Sequence, residues 1–132
     1  MGKNEKFIAN ALELPECIGD LSGVHDALYA MGGKWKLPIV ISLYDGGKRF
    51  NEIQRCVLGI SAKILSNELK ELELNGFIKR HVDTSYPVVI SYHLTPYSFT
   101  LKDLIQVMSQ WGLQHRKMVK SGELEKQETL IP

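Results

Sequence analysis

Between Ser61 and Gly76 the chain reads "SAKILSNELKELELNG", and its apolar residues return every three or four positions. At about 100° per residue, Ala62, Leu65, Leu69 and Leu72 gather on one side of a helix, with Lys63, Ser66, Asn67 and Lys70 almost opposite. Ser61 is placed to cap the start, because its hydroxyl can accept from an amide of the first turn, and Gly76 supplies the stop. Leu74 departs from the pattern. Its angle puts it on the polar side, where contact with the last helix is the expected use for it.

The same reading divides the rest of the chain. The first twenty or so residues show no clean period and are expected to form an arm. Val24, Ala27, Leu28 and Met31 then recur at helical spacing, with Ser22 as cap and Gly32-Gly33 as stop. "KWKLPIVISLYDGG" is apolar all round, which predicts a buried central helix with Pro38 confined to its first turn. "NEIQRCV" opens with Asn51 and Gln54 three apart, a capping-box arrangement for a short third helix, and only "VLGI" separates it from Ser61.

"FIKRHV" and "VVISYHLT" are rich in β-branched residues and flank the turn-forming "DTSYP", so they predict a hairpin. Thr95-Pro96 then gives a cap followed by a proline at the first helical position. The last helix carries Leu101, Leu104, Ile105, Met108 and Trp111 along one broad side, continuing towards Met118, and the tail from residue 121 is polar.

Three helices, the last two joined by a tight turn, followed by a hairpin, is the order of a winged helix-turn-helix. The expected fold is therefore α+β, mostly helical, with a two-stranded wing and terminal helices that dimerise. An arm occupies residues 1–20, the DNA-binding and dimerisation domain residues 21–120, and a flexible tail residues 121–132. The apolar stripe of the last helix outruns what a three-helix core with a small hairpin can cover, so a second copy of the chain is its expected cover. Leu28, Leu101, Leu104, Ile105, Met108 and Trp111 are the candidate interface.

Charge changes the picture more by its distribution than by its sum. The net charge is only +1, yet residues 34–80 hold nine Lys/Arg against five Asp/Glu. The basic middle coincides with the helix that offers Lys63, Ser66, Asn67 and Lys70. Asn can bond adenine edges bidentately, Lys serves guanine or phosphate, and Ser can meet either. The first amides of that helix, at Ser61, suit a phosphate. Arg49 before the third helix, Lys79 and Arg80 at the base of the hairpin, and Thr84 and Ser85 at its turn complete the candidate DNA contacts.

Other chemistry is poorly supplied. Cys17 and Cys56 lack a CxxC partner and are expected as free thiols, and they are the candidate redox residues. The histidines at 25, 81, 93 and 115 do not have zinc-ligand spacing. No Gly-rich phosphate loop, nucleophile elbow or paired carboxylate in an apolar setting is present, and "GGKWK" lacks the GKS or GKT ending, so no enzyme, metal or cofactor is expected. The longest apolar run, "LPIVISLY", falls far below the ~20 residues that span a bilayer, and the opening lacks an apolar signal core. A cytoplasmic protein without a membrane partner is expected.

"GGKWKLPIVISL", "GGKRFNEIQR", "GISAKILSNELKELELNGFIKR" and "ISYHLT" resemble, in order and spacing, the motifs of HxlR-type bacterial transcriptional regulators, relatives of the MarR group. The resemblance runs over residues 28–112 and includes the Trp111-Gly112 pair. It implies a homodimeric winged helix-turn-helix regulator on double-stranded operator DNA, in some members responsive to aldehydes, oxidants or other small reactive molecules. Three departures stand out. Where the family's wing commonly carries Pro-Pro-Arg, this chain has Pro87, Val88 and Val89, and Ser98 replaces the glycine usual after the Leu-Thr pair. Cys17 lies farther from Gly32 than the family's sensing cysteine. The neutral wing and low net charge favour one alternative, a winged-helix module that binds protein without DNA.

Overall fold

The spacing of the leucines in residues 62–74 decides the centre of the molecule, and the computed structural model describes it within residues 14–126, with side chains over residues 20–125. The described residues form α1 (Leu14–Met31), α2 (Lys36–Ser42), β1 (Lys48–Arg49), α3 (Phe50–Cys56), α4 (Ala62–Leu74), β2 (Ile78–Asp83), β3 (Val89–Leu94) and α5 (Lys102–Ser121). Single 3-10 segments occupy Pro96–Leu101 and Glu123–Lys126. The chain divides into two compact units, residues 1–95 and residues 96–132.

In the first unit Leu65, Leu69 and Leu72 are at most 2% exposed, and they share the core with Ile39, Val40 and Leu43 around α2, Ile53 and Val57 around α3, and Phe77 and Ile78. Each fully buried leucine or isoleucine contributes about 1.5–3 kcal/mol of transfer free energy. Ala62 is the exception in its stripe. It is exposed at the first position of α4.

The boundaries of α4 follow the expected chemistry. The Ile64 N–H donates to Ser61 Oγ at 3.1 Å. At the other end Gly76 has φ +83°, the Phe77 N–H reaches the Leu72 carbonyl at 2.9 Å and the Gly76 N–H reaches that of Glu73 at 3.1 Å. These are the paired bonds of a Schellman stop, and the left-handed residue they need is the glycine. Leu74 is 85% exposed and stands apart from the buried leucines.

Several elements differ from the sequence expectation. Helix α1 begins at Leu14, inside the stretch expected as an arm, and Ser22 lies within it rather than at its cap. Pro15 at its first turn is compatible with a helix start, while Gly19 and Gly23 weaken the periodic signal that would have revealed it. Helix α2 keeps Pro38 in its first turn but is not buried all round, since Ile41 is 49% exposed while Lys36 is buried. Helix α3 starts at Phe50, one residue earlier than Asn51, and its cap pair is Arg49 with Glu52: the Arg49 N–H donates to Glu52 Oε1 at 2.8 Å.

The wing is part of a three-stranded antiparallel sheet in the order β1-β3-β2, because Lys48 and Arg49 pair with Tyr92 and Ser91. A two-residue strand leaves no alternation in the sequence to detect. β2 and β3 pair from Ile78↔Leu94 to Asp83↔Val89. Gly47 lies so close to the tip of the His93 ring that a Cβ there would require the ring to move aside.

In the second unit Pro96 opens the 3-10 segment rather than the α-helix, which starts at Lys102. Thr95 is not the helix cap: its hydroxyl donates to the Gly76 carbonyl at 2.6 Å. No residue of α5 is buried. Trp111 and His115 stack on it, with ring centroids 5.0 Å apart and planes at 10°. Gly122, at φ +73°, ends it, and Ser121, expected in the tail, is its last residue. Residues 1–13 and 127–132 of the expected arm and tail lie outside the described residues.

Candidate nucleic-acid interface

Burying Leu65, Leu69 and Leu72 turns the opposite side of α4 outward, so Lys63, Asn67 and Lys70 are exposed and Ser66 is half-buried. Neither Lys63 nor Lys70 has an ion-pair partner within 4 Å among the described residues. Ser61 sits at the start of the same helix with its oxygen engaged as the cap.

The register of the wing separates two residues that are neighbours in sequence. Lys79 pairs with His93 and Arg80 with Tyr92, so the two side chains lie on opposite faces of the sheet. Arg80 and Tyr92 face α4 and line, with Ser66, Leu69, Lys70 and Glu73, a recess of about 380 Å³. Two cations from different elements, Lys70 and Arg80, thus meet at one polar depression beside the exposed helix face. Lys79 lies on the outer face with His81 and His93, whose rings meet edge-on at 6.2 Å. Ser91 Oγ lies 2.9 Å from His93 Nε2. No third His, Cys, Asp or Glu joins these two histidines among the described residues.

The remaining candidates are scattered. Arg49 is exposed before α3, with Nε 3.7 Å from Glu52, so part of its charge is answered. The Glu52 carboxyl is held below its ordinary value, chiefly by the Arg49 N–H. Thr84 and Ser85 are exposed at the wing tip, where the Ser85 hydroxyl and N–H both donate to Asp83 Oδ1, at 2.7 and 3.0 Å. These bonds hold the Asp83 carboxyl below the ordinary carboxylate value. The tip therefore carries an anion and, with Tyr86 98% and Val88 62% exposed, an apolar surface, but no cation.

Cys56 is exposed at the end of α3, and the side chain of Cys17 lies outside the described ones. Of the expected interface, Leu28 is 62%, Leu104 41%, Met108 50% and Trp111 65% exposed, whereas Leu101 and Ile105 are half-buried. No helix of the described residues is long and apolar enough to cross a membrane.

Two residues went unrecognised in the sequence. Tyr92 shares the recess. Lys36, written off there as part of an apolar run, is 8% exposed, with Nζ 2.7 Å from Glu68 Oε1 and 3.2 Å from Glu71 Oε1. Its one signal was a lysine inside a run otherwise fit for a core.

Known proteins resemble this chain over most of its length. A family model described as HxlR-like helix-turn-helix matches residues 30–120. The uncharacterized HTH-type transcriptional regulator YybR of Bacillus subtilis is 36% identical over 98 residues, covering 74% of this chain and 78% of that one. Among solved structures, the redox regulator HypR in its reduced form superposes with a TM-score of 0.69 at 35% identity, covering 75% of this chain and 98% of HypR. The reduced form of the transcriptional regulator YodB from B. subtilis gives 0.63 at 38% identity, covering 68% and 88%.

Proposed function

This chain belongs to the HxlR-like helix-turn-helix family of transcriptional regulators, and from that premise we propose that it binds operator DNA sequence-specifically as a homodimer. Helix α4 enters the major groove, with Asn67 and Lys63 reading base edges and Lys70 and Arg80 holding the backbone at their shared recess. Residues 21–120 carry this function, in the cytoplasm. The observation that supports it most directly is the outward convergence of Lys63, Asn67, Lys70 and Arg80 from two elements, while the leucines behind them are buried.

A second copy covers the exposed apolar side of α5, together with Leu28 of α1. Two-fold symmetry then pairs the recognition helices, which enter successive major grooves about 34 Å apart. A response to oxidants or other reactive small molecules is the finest part of the reading; it is supported by the name of HypR, a redox regulator, and by the exposed thiol of Cys56.

The test is selection of bound fragments from random DNA by the purified chain, followed by gel shifts across a salt series. Binding through several phosphates must weaken steeply as salt rises. The Lys63/Asn67/Lys70 triple alanine variant should fold and lose the selected fragment; unchanged affinity would remove α4 from the interface. The wing tip, which carries the Asp83 carboxylate and no cation, favours one other reading, a protein-binding winged helix, and a wild type that selects no DNA would support it.

A further inference from the structure

We propose that Lys36 is a positioning residue for DNA recognition, its ammonium clamping Glu68 and Glu71 so that α4 is fixed in rotation about its own axis. The inference rests on the DNA-binding reading above and adds to it the element that aims the helix.

Lys36 opens α2, whose Ile39 and Val40 are fully buried, so the point from which its side chain reaches is seated in the core. Glu68 and Glu71 are three apart on α4 and therefore lie on one flank, between the buried leucines and the outward Asn67. Nζ meets Glu68 Oε1 at 2.7 Å and Glu71 Oε1 at 3.2 Å. The hydrogen bond to Glu68 raises the Lys36 pKa above its ordinary 10.5 against the lowering effect of burial, so the amine is a cation at any physiological pH.

The leucine stripe alone does not set the angle of α4 sharply, because apolar burial is non-directional. Charge-assisted bonds to two successive turns are directional. With side chains ending about 5–6 Å from a helix axis, a rotation of ~10° carries a base-reading group through about 1 Å. A bidentate contact to a base edge does not survive that displacement well.

A purely stabilising role makes a different forecast: Lys36→Met, which leaves Glu68 without its cation, would lower the melting temperature and weaken operator and random duplex alike. The experiment compares wild type with Lys36→Met by thermal melting, by amide spectra of the free proteins, and by affinity for a selected fragment and for random duplex at one salt concentration. Expected are a cooperative melt, shifted Ser66 and Asn67 amides with β2 and β3 unmoved, and a fall of about tenfold or more in the operator-to-random ratio, with random-duplex affinity kept. A ratio kept within about twofold would overturn the proposal. If the methionine variant does not fold, Glu68→Gln/Glu71→Gln, which keeps both side-chain shapes, is read by the operator-to-random ratio and the Ser66 and Asn67 amides alone, because removing two carboxylates raises affinity for any duplex. If wild type selects no fragment, the DNA-binding reading fails by itself, and the amides decide the clamp: unmoved α4 resonances overturn it, and shifted ones sustain it.

Discussion

Helices α4 and α5 look alike as sequence, each carrying a regular apolar stripe, and they end differently. In α4 the stripe of Leu65, Leu69 and Leu72 is spent inside its own unit, and the polar face is what remains to meet a partner. In α5 nothing is buried, and Leu104, Met108 and Trp111 keep from 41% to 65% of their surface exposed. An amphipathic period therefore says that a face needs covering, but not by what. On the reading proposed above, the helix whose apolar side is covered at home offers chemistry and the one whose apolar side is open offers an interface. The comparison predicts that the same kind of substitution will act on stability in one helix and on assembly in the other.

The largest effect should come from Leu69→Ala. Lost burial plus the cavity left behind should lower stability by ~2–5 kcal/mol, read as a lower melting temperature of the free protein. A melt like that of wild type would mean that the assigned phase of α4 is wrong. Met108→Asp should instead leave a folded chain whose dimer is weakened by about 2 kcal/mol or more, with operator binding lost alongside. Sedimentation checks this, and a wild type that is monomeric at tens of micromolar (roughly, well above the constant of an obligate dimer) would erase the contrast between the helices.

How much of this was legible follows from the range of each signal. The leucine stripe, the Ser61 cap and the Gly76 stop are local, so spacing alone located them. What was not legible depends on residues far apart. Lys36 is passed over inside an apolar run until Glu68, 32 positions along, is folded against it. Lys79 and Arg80 read as one basic pair until the register with His93 and Tyr92 sends them to opposite faces. β1 has two residues and no period, and in α1 two glycines mask a helix that starts at Leu14. Among the candidate contacts, the sequence could group Lys63, Asn67 and Lys70 but could not add Arg80 to Lys70 while leaving Lys79 out.

Smaller effects test that grouping. Asn67→Ala should cost ~1–3 kcal/mol in operator binding and relax sequence preference, with the melt unchanged. Lys70→Ala and Arg80→Ala should weaken all sequences evenly, each lowering the salt slope by about 1, whereas Lys79→Ala should do less if only the α4 side of the sheet meets DNA. Gel shifts on matched and scrambled fragments over a salt series read all of these, and a Lys79 effect equal to that of Arg80 would place both faces of the wing at the interface.

The smallest expected effect concerns pH and returns to the contrast between the two units. The Glu52 carboxylate accepts the Arg49 N–H at the start of α3 and is held below its ordinary value of 4.5, chiefly by that bond. A carboxyl depressed in the folded state stabilises above its unfolded pKa, and the contribution is lost as pH falls through the folded value. The window therefore lies below pH 4.5, and the contribution of this carboxylate is constant between there and neutrality. Helix α5 has no such dependence at its start, since Leu101 caps it without a side-chain bond. On acidification the Arg49 amide resonance should titrate with a midpoint below 4.5 and the first turn of α3 should lose exchange protection, while Glu52→Gln abolishes the titration. An Arg49 amide that does not move through that range would show that the bond does not hold the start of α3 in solution.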